Sequence, residues 1–169
     1  MAALNPDHLL EQADRLIAPP GGGTPRQVDL RRAISNAYYA VFHAVMTEAA
    51  DDFVGRKHRQ TPRYALVYRS VEHRSLLRLC EDVRKGTLPG KYSMHEPAGG
   101  FGPELRSFAT MIKQLHEKRH EADYDPLVRV RRSDAALAIE TGREALVLFR
   151  RASATRRRAF LSLVVFSPR

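Results

Sequence analysis

Between Arg32 and Val45 the chain alternates two chemistries at the period of an α-helix, and this periodicity constrains the fold more than any other feature. Ile34, Ala37, Val41 and Val45 recur at helical spacing and form an apolar stripe. Arg32, Asn36, Tyr39 and His43, at i, i+4, i+7 and i+11, stack on the opposite side. A bland amphipathic helix carries Glu and Lys there. This one carries a guanidinium, an amide, a phenol and an imidazole, which can meet a phosphate, a base or a partner surface. The segment is expected to pack on one side and to touch something specific on the other.

The same period recurs along the chain. Asn5-Pro6-Asp7 predicts a helix start, and Pro19-Pro20-Gly21-Gly22-Gly23 ends that short helix. Thr24-Pro25 predicts an N-cap with Pro at the first helical position, opening a second helix that runs to about Ala50. Residues 51–62 read as a polar connection. A third helix is expected over residues 64–84. Its apolar pattern is broad, consistent with burial on more than one side or with a bend near Ser75. Residues 86–102 are rich in Gly and Pro and read as a long loop. Pro103-Glu104 restarts a helix with Leu105, Phe108, Ala109, Ile112 and Leu115 facing inward, and continuing that helix places Arg119 and Asp123 on the same stripe. Asp125-Pro126 closes it. Ser133 predicts the cap of a last long helix lined by Ala135, Ala138, Ile139, Gly142, Leu146 and Phe149. No strand alternation or internal repeat is visible. The expected fold is all-α: an antiparallel bundle of four long helices plus a short N-terminal one. A single helical domain is expected over residues 1–154. Residues 155–169 follow as a basic, then apolar, tail: a helix extension, a strand or a docking arm.

Charge and cysteine content narrow the function classes. Lys and Arg total 28 against 19 Asp and Glu, a formal charge of +9. Such an excess favours polyanionic partners, and Arg, which dominates it, suits forked phosphate contacts. The basic clusters at residues 129–132 and 150–158 would form one polyanion track if they lay beside Arg32. Cys80 is the only cysteine, which excludes an internal disulfide and a cysteine-based zinc site. The first residues show no signal-peptide pattern, and the longest apolar run is too short to span a bilayer, so a cytoplasmic protein without membrane contact is expected. His116 and His120 share a helical face beside Glu117 and Glu121, but no third ligand follows at a convincing spacing. No metal and no other cofactor is expected. Gly-rich phosphate loops, Ser-His-Asp order and carboxylate dyads are absent from the sequence.

Two segments resemble one family. Arg32-x-x-x-Asn36-x-Tyr38-Tyr39-Ala40-x-Phe42-His43 is similar to the helix signature of HEPN domains (higher eukaryotes and prokaryotes nucleotide-binding). Arg119-His120-Glu121-Ala122-Asp123-Tyr124-Asp125 resembles the Arg-x-x-x-Asp-Tyr element of small stand-alone bacterial members. Tyr68-Arg69-Ser70-Val71-Glu72-His73 resembles part of the helix between them, and the resemblance covers roughly residues 24–154. It implies a helical bundle that dimerises, works in a toxin–antitoxin or defence pair with a nucleotidyltransferase, and binds RNA or nucleotide. Arg32, Asn36, Tyr39, His43, Arg119, Asp123 and Tyr124 are the candidate binding residues. Active members are metal-independent ribonucleases with an Arg-x(4–6)-His motif. Here no His follows Arg119 at that spacing, and Asp123 and Tyr124 occupy the region. If cleavage occurs, Arg119 is expected on the phosphate with His43 or His120 as proton carrier. The resemblance also places Tyr124 where a partner nucleotidyltransferase modifies a tyrosine. Three readings follow: a nucleotide- or RNA-binding protein, a ribonuclease using Arg119, and a non-enzymatic interaction module.

Overall fold

The computed structural model describes residues 4–86 and 88–166, and these contain helices and no strand. The eight helices are α1 (Pro6–Ile17), α2 (Gln27–Phe53), α3 (Pro62–Ser70), α4 (His73–Lys85), α5 (Gly90–Ser93), α6 (Gly102–Tyr124), α7 (Arg132–Arg151) and α8 (Ala154–Val165), with a 3-10 turn at Arg56–His58. No described helix is long and apolar enough to cross a membrane.

The second helix is the hub. It touches α1, α3, α6, α7 and α8. The two-faced reading of α2 is too simple, because Ala33, Ala40 and Ala44 are as buried as Ile34, Val41 and Val45. Alanine is weakly apolar as a letter, but its small side chain lets a neighbouring helix approach closely. Gly142 of α7 shows how close. A Cβ there would sit 3.3 Å from the Ala37 carbonyl oxygen and 3.3 Å from a Leu10 methyl. Burial therefore wraps most of α2 and leaves a narrow outward strip containing Arg32, Tyr39 and His43.

Several helix ends differ from expectation for identifiable reasons. The second helix begins at Gln27 rather than Pro25, with Arg26 at the N-cap and its Nε donating to Asp29 Oδ2 at 2.8 Å. The seventh begins at Arg132. Its N-cap is Arg131 rather than Ser133, and Asp134 Oδ2 accepts from the Arg131 amide at 3.0 Å. The expected helix over 64–84 is two helices. The backbone is extended at Val71 and Glu72, and Val71 is buried there. No Gly or Pro marks the break. It lets α3 pack on α2 while α4 packs on α6. The Gly- and Pro-rich stretch also holds α5, whose Tyr92 is buried.

The inner stripe of α6 is buried as expected, from Leu105 through Leu115. Its first helical residue, Gly102, has φ +79, and a Cβ there would run into the Arg156 guanidinium. Residues 154–165 form α8, which brings Phe160 into an aromatic cluster. Its ring lies 5.8 Å from Phe108, 6.1 Å from Phe149 and 6.2 Å from Phe101. Fully burying an aromatic ring contributes about 1.5–3 kcal/mol. The basic cluster around α8 does not reach Arg32. Arg158 pairs with Asp52, twenty residues along α2 from Arg32 and so about 30 Å away at 1.5 Å per residue.

Candidate anion-binding corner

The Arg119 corner forms where the last turn of α6 crosses α2. Arg119 sits on the inward stripe, one turn beyond the buried Leu115, so its side chain is only 15% exposed. Its Nε donates to Asp123 Oδ2 at 2.8 Å, the i+4 pair expected from sequence. Its Nη2 donates to the Tyr39 hydroxyl at 3.0 Å and to the Tyr124 hydroxyl at 3.3 Å. The guanidinium carbon also lies 5.2 Å from the Tyr39 ring centre, 5.5 Å from Tyr124 and 5.8 Å from Tyr38, within cation–π range. Burial works against the charge, but Tyr39 and Asp123 outweigh it and raise the pKa of Arg119. Nη1 makes no hydrogen bond among the described residues, and it is not a buried unpartnered atom.

Asp123 is held from two sides, by Arg119 and by the Ser35 hydroxyl, which donates to its Oδ1. Ser35 gives no signal in the sequence, since a lone Ser inside a helix most often bonds its own backbone. Its neighbour Arg31 is a second residue that the periodicity does not single out. Its guanidinium donates to the carbonyl oxygens of Ala122, Asp125, Pro126 and Val128. These include the unpaired carbonyls where α6 ends. Arg31 thus fixes the end of the helix that carries Arg119.

A ring of imidazoles and phenols surrounds the corner. His73, the first residue of α4, stacks on Phe42 at 3.7 Å between ring centres, and its Nδ1 is 2.7 Å from the Tyr38 hydroxyl. His116 lies edge-on to Tyr38 at 5.5 Å. His43 Nδ1 is 2.6 Å from the Tyr68 hydroxyl, and the His43 ring is 6.2 Å from Tyr39. Burial lowers the pKa of His43. Burial and the nearby Arg119 charge lower those of His73 and His116. Burial raises the Tyr38 and Tyr68 hydroxyls. At neutral pH the imidazoles of His43, His73 and His116 and the hydroxyls of Tyr38 and Tyr68 are therefore neutral beside the Arg119 cation and its Asp123 partner.

The seven candidate binding residues separate into groups. Tyr39, Arg119, Asp123 and Tyr124 meet directly. His43 stands one ring further out, on Tyr68. Arg32 is exposed, with no ion pair or hydrogen bond among the described residues. Asn36 does not join the corner: it is buried, and its amide donates to Gln12 Oε1 of α1 at 2.9 Å. His120 is exposed and lies 5.0 Å from Tyr124, which is itself 63% exposed. His73, which its apolar helix neighbours suggest as a satisfied histidine, is more central than either proposed proton carrier. No cluster of three or more His, Cys, Asp or Glu suited to a metal occurs among the described residues. A cavity of about 380 Å³ lies between α6 and α7, floored by Ile34, Leu115, Val130 and Ala138, and it does not include Arg119. No family model, no curated protein and no solved structure matches this chain.

Proposed function

We propose that this chain is a HEPN-type helical protein that binds RNA or a nucleotide through a phosphate seated at Arg119. On this reading it is a homodimeric half of a toxin–antitoxin or defence pair, opposite a nucleotidyltransferase. The carrying observation is the state of Arg119. Its guanidinium is oriented by Asp123, Tyr39 and Tyr124, while Nη1 has no partner among the described residues. A pre-oriented guanidinium with a free edge suits a phosphate oxygen, because the cost of ordering the side chain is already met. The exposed Tyr124 and His120 rings beside it offer an aromatic surface to a base. The charge of +9 supports polyanion association at long range.

The test is fluorescence anisotropy with a labelled single-stranded oligoribonucleotide in chelator, with the same samples run on a denaturing gel. The expected result is salt-sensitive binding that Arg119→Ala removes, with the RNA intact. Absence of binding by the wild-type protein, with a stable complex to a partner protein instead, would favour the interaction-module reading.

Ribonuclease activity is the second reading. It is favoured by the neutral imidazoles of His43 and His116 in the ring network around Arg119, since a neutral imidazole can accept a proton. Metal-independent cleavage on the same gel, lost in Arg119→Ala, is its signature.

A further inference from the structure

Tyr38 is completely buried, and its hydroxyl has one hydrogen-bond partner among the described residues, His73 Nδ1 at 2.7 Å. A phenol carries one proton that must go somewhere. A buried hydroxyl that donates to nothing costs about 1–3 kcal/mol. The Tyr38 proton therefore points at His73 Nδ1, which must accept it. A neutral imidazole accepts at one nitrogen and donates at the other. His73 is thereby fixed as the tautomer with hydrogen on Nε2. That nitrogen has no protein acceptor among the described residues and is not a buried unpartnered atom. The ring cannot swing away, because it is stacked on Phe42 and lies edge-on to Tyr39.

We infer that His73 is a ligand-binding residue that donates Nε2–H to an oxyanion, forming with Arg119 Nη1 a donor-only receptor for one phosphodiester. The inference rests on the RNA-binding reading and deepens it. The guanidinium and the imidazole that carry these donors lie beside the same pair of rings. Arg119 lies 5.8 Å and 5.2 Å from Tyr38 and Tyr39, and the His73 ring lies 5.7 Å and 6.1 Å from them. The groups facing His73 are Tyr38, Tyr39, Phe42 and His43 from α2, and His116 and Arg119 from α6. None of these is an anion, and the Asp123 carboxylate is engaged at the Nε of Arg119 rather than at Nη1. With its only basic nitrogen occupied by Tyr38, His73 is not available to take a proton from a ribose hydroxyl. The chemistry of this histidine is recognition.

Two measurements decide the matter. Long-range proton–nitrogen NMR correlations of the free wild-type protein at neutral pH should show Nε2 of His73 protonated and Nδ1 bare. Tyr38→Phe should abolish that fixed assignment. Anisotropy with the labelled single-stranded oligoribonucleotide in chelator should show His73→Ala weakened about three- to tenfold, the worth of one hydrogen bond. His73→Gln, which keeps an N–H near the Nε2 position, should bind within about twofold of wild type. Circular dichroism of each variant checks that it is folded. A proton on Nδ1 overturns the inference. So does equal loss in His73→Gln and His73→Ala, wild-type affinity in His73→Ala, or RNA cleavage that His73→Gln abolishes. Loss of binding in Arg119→Ala with no change in His73→Ala removes this inference alone. Absence of RNA binding by the wild-type protein removes it together with the RNA-binding reading.

Discussion

Arg31 reaches from α2 to the end of α6, and Arg119 reaches from α6 back to α2, yet the two guanidiniums meet different chemistry. Arg31 gives its hydrogen bonds to four backbone carbonyls. Those acceptors belong to the end of α6 and to the connection that follows it, so Arg31 ties the helix terminus and its exit to α2. Arg119 binds a carboxylate and two phenols, and one Nη has no partner among the described residues. Its partners are side chains that can shift when an anion arrives. The same residue type, one helix crossing apart, serves as a structural clamp in one place and, on the proposed reading, as a binding group in the other. What separates the two uses is whether the partners are backbone or side chain, and whether a donor remains.

This contrast is open to direct attack. The largest effect is expected from Arg31→Ala, which leaves several carbonyls without a charged donor. It should cost about 2–3 kcal/mol in urea unfolding, with RNA affinity of the folded protein close to wild type. Arg119→Ala should invert the pattern. Its RNA affinity should fall at least about tenfold, roughly 1.4 kcal/mol, while stability falls by about 1 kcal/mol, because the Asp123 pair is partly exposed. Arg119→Lys should lie between wild type and the alanine variant in the anisotropy assay, since it keeps the charge and loses the fork. Asn36→Ala should cost about 1 kcal/mol by thermal or urea unfolding and leave RNA affinity unchanged, because its amide serves α1.

The smallest effect concerns pH. His43, His73 and His116 have pKa values below the usual imidazole value in the folded protein. The unfolded chain therefore takes up protons first as pH falls below about 6.5. Their contribution to stability is present above that pH, declines as pH falls through the folded-state values, and is then constant. Urea unfolding at about pH 7.5 and about pH 5.5 should show this drop, and replacing all three by Gln should flatten it.

Much of the corner is legible in one dimension. Arg119 and Asp123 are i,i+4 on a stripe that is already apolar, and their pairing follows from helix geometry alone. Tyr39 follows from its place opposite Ile34 and Val41. The partners of these residues are less accessible. Asn36 shares a helical face with Tyr39 and His43 by periodicity, but α1 covers it. Which neighbour covers which part of a face is a property of packing, not of period. Ser35 and Arg31 are invisible for a related reason: their partners lie 88 to 97 residues away in the chain. His73 is legible as a satisfied, partly buried histidine. Its partner Tyr38 becomes evident only once α4 separates from α3 at Val71–Glu72.

By itself the sequence determines that the chain is helical and where several helices must stop, because Pro and Gly act on the local backbone whatever surrounds them. The inward stripe of α6 is equally local, since large apolar residues at helical spacing have one energetically acceptable orientation. The tertiary structure decides the rest. It makes α2 central through alanines too small to announce burial, breaks a helix at a valine with no local breaker, and turns residues 154–165 into part of the aromatic core. Burial of small side chains and the pairing of distant polar groups gain free energy only when particular helices meet, and that information lies in contacts between segments rather than within any one of them.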